Sequence, residues 1–299
     1  MKVLRAIFRF YINASIHVAL AVVALTIFNC LEYGISLNLG LLSFVFLSSI
    51  TGYNFVKYAP IAKLFHRRLT NQLKLIQIFS FLAFIGLCVN VFFVNFQILL
   101  IGSALGTLTI LYAVPIGRKN LREISILKVF VIALIWATTT FVFPFINNNH
   151  DILALSFSWY FSFAERFLWV VLLMIPFEIR DLRYDKIYLK TLISVFGIKN
   201  IKIISISILF LLIIQKLIFF NLNEINIYLF VYTTLALVII FSRSKQSPYF
   251  ASFWVESLPM FWALFFIFIE MLQTSIFESK NILDFDTLHL RVLYFYQKF

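Results

Sequence analysis

Three acidic residues near the end of one apolar segment could do chemistry. Glu178, Asp181 and Asp185 lie at helical spacing, so in an α-helix they would share one face about 60° wide. Like charges at this spacing repel each other and destabilise a helix. A hard divalent cation such as Mg²⁺ prefers carboxylate oxygens and accepts phosphate as a further ligand. The spacing therefore suggests a magnesium site at this helix end.

The basic residues around these acids permit a second interpretation. Arg180, Arg183 and Lys186 alternate with the acids along the same segment, on the other faces of the helix. They could neutralise the carboxylates at an ordinary solvated helix end. No well-known short motif covers the segment, so the spacing alone leaves both interpretations open.

A basic segment follows the apolar run that ends near Pro115. Its cations Arg118, Lys119 and Arg122 fall within five residues. Lysine and arginine bind phosphate oxygens, so this segment could hold a diphosphate. Clusters of this kind also anchor helices among lipid headgroups, and the sequence does not decide between these roles.

The segments that carry these residues are apolar enough to lie in lipid. Hydrophobic residues make up 62% of the 299 residues and charged ones 13%, against about 45–50% and about 25% in soluble domains. A soluble globule of this size cannot hide so much apolar surface. The 38 Phe residues exclude a disordered chain. Two cysteines, Cys30 and Cys88, exclude a disulfide scaffold.

Nine apolar runs are long enough to cross about 30 Å of hydrocarbon as helices. The third and fourth runs are separated only around Asn95–Gln97. We expect an all-α, polytopic membrane helix bundle in which residues 1–299 form a single integral membrane domain, with 272–299 as an interfacial tail. The runs lie near residues 11–31, 35–53, 75–94, 96–115, 127–146, 157–178, 201–220, 225–242 and 250–272.

The loop charges predict the orientation of this bundle. With a cytoplasmic N-terminus, most of the 25 Lys and Arg residues fall in cytoplasmic segments, whereas the outer loops between helices hold none. This is the positive-inside pattern of a multi-pass protein, and we expect the cell inner membrane. The net charge of +12 is then explained by anionic lipid headgroups, and no nucleic-acid partner is expected.

Several patterns together resemble the UbiA-type membrane prenyltransferase superfamily. They are Leu111-Tyr112-x-x-Pro115, Leu127-Lys128, Trp136 with Thr139 and Thr140 before Pro144, Asp181-x-x-x-Asp185, Thr191-Leu192 and Gly197. The resemblance implies a helical fold around a lipid-facing cavity, where Mg²⁺ on two Asp-rich motifs binds an isoprenyl diphosphate. It further implies ionisation of that diphosphate and transfer of the prenyl group to an aromatic or lipid acceptor.

The resemblance also implies roles for individual residues. Asp181 and Asp185 would be the Mg²⁺ ligands, with Glu178 as a supporting catalytic residue. The residues expected to contact the isoprenyl diphosphate are Asn54, Lys57, Tyr58, Tyr112, Lys119 and Arg122.

The first Asp-rich motif of the family is degenerate in this sequence. Asn54 fits the motif, but its acidic positions hold Phe55, Tyr58 and Ala62. No carboxylate occurs anywhere from Gly52 to Lys74, and Pro60 is expected to interrupt the helix. One of the two metal sites of the family therefore cannot form in the usual way.

Two functional hypotheses follow from this loss. Lys57, about one turn beyond Asn54, could touch the diphosphate in place of a metal ion, in a one-metal or altered-substrate enzyme. Alternatively, Lys57 only anchors a helix end, and the chain is a catalytically impaired relative. Such a relative would bind isoprenoids or lipids, or act as a scaffold for other membrane enzymes. A transporter is less consistent with the sequence, which has no visible repeat.

Other charges fall inside the apolar runs. Glu165 and Arg166 are neighbours in the outer half of the sixth run, and each is expected to pair with another helix. Glu256 and Glu270 are candidate partners for Arg166 or Lys216. The alternative is that these charges bind a polar substrate headgroup.

Overall fold

The computed structural model describes residues 2–62, 70–114, 125–148, 157–182, 191–219, 225–247 and 249–281. Every regular element within these ranges is helical, and no strand occurs there. Lys119, Arg122 and Asp185, three of the predicted site residues, lie outside the described residues.

Eleven α-helices, one 3₁₀ turn and two π-helical segments make up this part of the chain. The helices are α1 (Lys2–Asn13), α2 (Ile16–Glu32), α3 (Leu39–Ala62), α4 (Asn71–Asn90), α5 (Phe96–Ala113), α6 (Ser125–Ala137), α7 (Phe143–Asn147), α8 (Phe157–Asp181), α9 (Leu192–Phe219), α10 (Ile225–Phe241) and α11 (Leu258–Asn281). The 3₁₀ turn is Val91–Phe93, and the π-helical segments are Thr138–Val142 and Phe250–Val255.

Each of the nine predicted runs lies in a helical stretch. Seven of these stretches are each long and apolar enough to cross a membrane. The first run lies in the bent helix pair α1–α2, which would add one more span if the pair crosses the membrane as a unit. The eighth run is α10, an apolar helix of 17 residues. The chain thus has the helices of an integral multi-pass membrane protein, while the count of nine spans stays a prediction.

The first run is broken into two helices, which the apolar pattern did not predict. α1 and α2 meet at an angle of 55°. The chain turns at Ser15, whose φ of 60° is left-handed. A left-handed conformation costs a residue other than glycine about 1–2 kcal/mol, so other contacts must hold this bend in place.

The separation of the third and fourth runs at Asn95 is confirmed. α4 ends at Asn90, and the 3₁₀ turn follows it. The Asn95 side chain then accepts a hydrogen bond from the backbone N–H of Gln97 at 2.9 Å. This N-cap satisfies a backbone donor that the first turn of α5 leaves unpaired.

The prediction that Pro60 interrupts its helix is wrong. α3 continues past Pro60 and ends at Ala62. A proline two residues before the end of a helix removes only one backbone hydrogen bond, in a turn whose carbonyl groups are already partly unpaired. α3 is therefore longer than the run near 35–53 from which it was predicted.

α2 lies at the centre of the packing and contacts α3, α11 and the π-helical segment after α6. Its Phe28 packs edge-on against Trp169 of α8, at 5.7 Å between ring centroids. Trp169 in turn packs against Trp262 of α11. Large apolar side chains are exposed on the outside of α4, α5, α9 and α11, as expected where lipid tails are the solvent.

Gly197 introduces a kink near the start of α9. Its φ of 76° and ψ of 157° interrupt the helix. This region of conformational space is essentially restricted to glycine. The glycine that the family patterns include is thus the residue that allows α9 to change direction.

Candidate functional site

The predicted site residues that the structure describes gather at one end of the helices, which we call the basic end. It carries Arg9, Lys57, Lys128 and Arg180. α3 and α8 end there, and α6 begins there. The loop after α10 also lies there, because Gln246 donates a hydrogen bond to the Pro176 carbonyl of α8 at 3.2 Å.

At the basic end, Lys128 of α6 lies between two acids of α8. Its Nζ atom is 2.7 Å from Oε1 of Glu178 and 3.4 Å from Oδ2 of Asp181. The Glu178 side chain is fully buried, whereas 23% of the Asp181 side chain is exposed. Two carboxylates therefore converge on one cation.

Arg180 also contacts this group. Its Nε donates to Oδ1 of Asp181 at 2.8 Å, so one of the interleaved arginines does neutralise an acid. Within the described residues, no three His, Cys, Asp or Glu side chains are close enough to hold a metal ion. Asp185 lies outside that part of the chain, so the magnesium site stays a prediction.

Aromatic side chains lie near Lys128 on the side of α3 and α5. Tyr112 is buried and lies within electrostatic range of Lys128 and Tyr53. The Tyr53 hydroxyl accepts a hydrogen bond from Trp136 Nε1 at 2.5 Å, which joins α3 to α6. Tyr53 was not predicted, although it directly precedes Asn54.

Asn54, Lys57 and Tyr58 contact the end of α1. Asn54 Nδ2 donates to the Ala14 carbonyl at 3.0 Å, and the Tyr58 hydroxyl donates to the Asn13 carbonyl at 2.8 Å. Lys57 Nζ lies 3.2 Å from that same Asn13 oxygen.

These three donors satisfy carbonyl groups that the bend at Ser15 leaves without helical partners. The cation of Lys57 also interacts favourably with the negative end of the α1 dipole. The residues predicted to bind the diphosphate thus stabilise the junction of α1 and α2 in this structure. A role of these residues toward the substrate stays a prediction.

Glu256 lies at the basic end and not beside Arg166 or Lys216, so this candidate pairing is wrong. The residue follows the second π-helical segment and is partly buried. Its carboxylate is within electrostatic range of Lys57 and Arg180. Glu256 therefore lies near both the α3 and the α8 parts of the candidate site.

The π-helical segment Thr138–Val142 directly follows α6, the helix that carries Trp136. A π-turn leaves its carbonyl groups with shifted partners, and such turns are frequent at functional sites. Here the Thr140 carbonyl accepts a hydrogen bond from Asn29 Nδ2 at 2.9 Å. The Thr140 hydroxyl donates to the Trp136 carbonyl at 2.8 Å. These two hydrogen bonds connect the end of α6, near Trp136, to α2.

His17 joins α1, α2 and the second π-helical segment. Its Nε2 lies 2.9 Å from the Phe253 carbonyl, and Nδ1 lies 2.8 Å from the Tyr11 hydroxyl. A carbonyl only accepts hydrogen bonds, so Nε2 carries the proton and Nδ1 accepts from Tyr11. The Ser257 hydroxyl donates to the same Phe253 carbonyl at 2.6 Å. His17 therefore does not act as a base toward Ser257.

A second group of charged residues lies at the opposite end of the helices. We call Glu32, Glu165, Arg166 and Lys216 the buried charge cluster, because their side chains are at most 2% exposed. Arg166 forms an ion pair with Glu32 of α2, and Lys216 Nζ of α9 lies 2.8 Å from Oε2 of Glu165.

Each charge in this cluster has a partner on another helix, as predicted. The acids that pair with Arg166 and Lys216 are Glu32 and Glu165. Two acids and two bases leave the cluster neutral overall. Tyr228 of α10 donates a hydrogen bond to Oε1 of Glu32 at 2.5 Å. Tyr33 directly follows Glu32, and burial raises the pKa of its hydroxyl group. Ion pairs of this kind satisfy charges that lipid cannot solvate. Structural pairing accounts for the cluster.

No protein-family model, no curated protein and no solved structure matches the chain. The family resemblance therefore depends on the short patterns quoted above. The structure itself assigns the chain to the integral multi-pass helical membrane proteins.

Proposed function

We propose that the chain binds an isoprenyl diphosphate at the cytoplasmic face of the membrane and transfers the prenyl group to an aromatic or lipid acceptor. The proposal depends on one observation. Lys128 and the pair Glu178–Asp181 belong to patterns some 50 residues apart in the sequence, yet their charged atoms lie within 3.4 Å of each other. The patterns that contain Lys128 and Asp181 resemble those of UbiA-type prenyltransferases.

The residues present are suited to a divalent cation. Two carboxylates already contact one ammonium group, and carboxylate oxygens are the ligands that Mg²⁺ prefers. Asp181 and Asp185 would hold the ion, with Glu178 in support. Bound Mg²⁺ supplies charge neutralisation for the diphosphate leaving group.

The remaining residues would position the substrate. Lys128, once released by its carboxylate partners, donates to a diphosphate oxygen, and Lys119 and Arg122 bind further oxygens. Tyr53, Tyr112 and Trp136 are the nearby aromatic groups. Aromatic faces attract a cation and exclude water, so these three would shield the prenyl group as it ionises.

A second candidate function is supported by the contacts of the first motif. Asn54, Lys57 and Tyr58 donate to backbone carbonyls at the end of α1, and no carboxylate occurs between Gly52 and Lys74. A chain that uses this motif for structure would bind isoprenoid lipids without transferring them. It would then serve as a binding or scaffolding protein beside other membrane enzymes.

Ligand-dependent stability tests the binding part of the proposal. The full-length protein in detergent is heated with geranylgeranyl diphosphate, with Mg²⁺ or with both. We expect a rise in melting temperature that requires both, and its loss in Asp181→Asn and in Asp185→Asn. Asp151→Asn, at an acid 30 residues before Asp181 in the sequence, is the control. An unchanged rise in both test variants would disprove the assignment.

Release of pyrophosphate distinguishes the two functions. Release that depends on Mg²⁺, Asp181 and Asp185, measured in cell membranes that supply the acceptor of the prenyl group, would support a prenyltransferase. Stabilisation by the diphosphate without release would support the binding protein, and neither effect would refute both. Mass spectrometry of lipids and quinones from cells with and without the gene then identifies the acceptor, as a prenylated compound present only when the gene is present.

A further inference from the structure

α1 has a basic face and an apolar face. Residues three and four positions apart share a face of a helix. Arg5 and Arg9 therefore lie together on one face, and Val3 and Ile7 lie on another. A basic amphipathic helix of this type is typical of helices that lie in the membrane interface.

The apolar face of α1 is only partly covered by protein. Phe8 packs edge-on against Tyr249 and Phe253, at 5.1 Å and 5.4 Å between ring centroids. Val3 and Leu4, in contrast, are each 73% exposed. α1 is thus attached to the rest of the protein by its inner side chains, while its outer apolar residues are open to the surroundings.

The direction of α1 is fixed by the junction described above. The angle of 55° to α2 turns α1 away from the axis of that apolar helix. The hydrogen bonds from Lys57 and Tyr58 to the Asn13 carbonyl hold the end of α1 in this direction. α1 therefore leaves the axis of α2 at the basic end, where the positive-inside pattern predicts lipid headgroups.

A surface cavity of about 600 Å³ opens beside α1. Leu4, Arg5, Phe8, Arg9 and Tyr249 line it. The lining residues are two arginines and three apolar or aromatic residues, and none of the five is acidic. Arginine binds phosphate oxygens with two parallel hydrogen bonds, and the apolar side chains are suited to the first methylene groups of an acyl chain.

We propose that this cavity is a binding site for an anionic phospholipid, with its phosphate at Arg5 and Arg9 and an acyl chain along Leu4 and Phe8. The two arginines favour a headgroup with net negative charge over phosphatidylcholine, whose phosphate is balanced by choline. The exposed apolar residues of α1 favour a lipid over a soluble phosphate compound. This site is independent of the proposed function.

Native mass spectrometry of the full-length protein in detergent tests the site. Dioleoylphosphatidylglycerol and dioleoylphosphatidylcholine are titrated separately, and the bound lipids are counted. We expect preferential binding of the anionic lipid. In the variant Arg5→Gln/Arg9→Gln this binding should weaken about 25-fold, since each arginine near an anionic surface contributes about fivefold.

The matched control removes two charges elsewhere at the basic end. Lys74 and Lys199 are exposed, and Lys74→Gln/Lys199→Gln should bind phosphatidylglycerol as the unmodified protein does. Equal loss in the control, or no loss in the arginine variant, would overturn the proposal. Displacement of the lipid by millimolar inorganic phosphate would also overturn it, because the site would then recognise phosphate alone.

A spin label tests the position of α1 without changing the arginines. Ile7→Cys is labelled in a Cys88→Ser background, because Cys88 is exposed and Cys30 is buried. In phosphatidylglycerol nanodiscs we expect the label to be more accessible to oxygen than to a water-soluble nickel reagent. Greater accessibility to nickel, or broadening of the spectrum by a second copy of the chain, would contradict the proposal.

Discussion

Lys128 of α6 and Glu178 of α8 form an ion pair, with Nζ and Oε1 2.7 Å apart. The Glu178 side chain is fully buried, whereas Lys128 keeps 20% of its side chain exposed. The pair therefore joins the beginning of one helix to the end of another through an acid that has no access to solvent. The acid depends on the lysine for compensation of its charge.

Removal of Lys128 alone should destabilise the protein strongly. Lys128→Met leaves the Glu178 carboxylate buried without the cation 2.7 Å away, which typically costs about 3–5 kcal/mol. The double variant Lys128→Met/Glu178→Met should recover most of this loss. The free energy of unfolding in detergent measures both. Lys74→Met, at an exposed lysine, is the control, and equal losses in the single and double variants would contradict the coupling.

The buried charge cluster predicts the same behaviour at the opposite end. Lys216→Met should reduce the free energy of unfolding by about 3–5 kcal/mol, because Glu165 loses a cation 2.8 Å away. Lys216→Met/Glu165→Gln should be more stable than the single variant. A double-mutant cycle on the purified protein measures the coupling energy. A coupling near zero would show that the two side chains do not interact in the membrane protein.

Lys57 should influence the order of α1. Lys57→Met removes a cation that contacts the Ile12 and Asn13 carbonyls, an interaction worth about 0.3–1 kcal/mol at a helix end. We expect faster amide hydrogen exchange in α1, by up to about fivefold, and unchanged exchange in α5. Lys74→Met should leave α1 unaffected. Unchanged exchange combined with weaker diphosphate binding would instead assign Lys57 to the ligand.

Gly197 should not tolerate a side chain. Among the described residues, no atom lies within 4 Å of the position that a Cβ atom would occupy, so the cost of Gly197→Ala is expected from the backbone conformation. That cost is about 1–3 kcal/mol at such φ and ψ values. Gly106, in the middle of α5, has equally open surroundings, and Gly106→Ala should be neutral or stabilising. Thermal unfolding of both variants provides the comparison, and equal effects would disprove the explanation.

The apolar pattern was sufficient to predict where most helices lie. The run 157–178 coincides with most of α8, and the run 250–272 covers the second π-helical segment and most of α11, because about 20 apolar residues in sequence allow little else. The pattern did not predict the bend at Ser15. That bend depends on hydrogen bonds from Asn54 and Tyr58, some 40 residues away, which hydropathy along the chain does not report.

The candidate site was predictable only in part. The spacing of Glu178 and Asp181 suggested a metal ion or the interleaved basic residues as partners of the acids, and it gave no indication that Lys128 contacts both. Glu32 was not among the predicted partners of Arg166. Its pairing with Arg166 depends on the packing of α2 against α8, and no spacing within one segment encodes it.

The buried charge cluster has a consequence for biosynthesis. Glu32 enters the bilayer with α2, whereas Lys216 and Tyr228 emerge from the ribosome only with α9 and α10. A chain that stops after α8 holds Glu165 without its lysine partner in a medium that cannot solvate it. We expect such truncated chains to be recognised by the proteases that clear incomplete membrane proteins, while the finished chain escapes them.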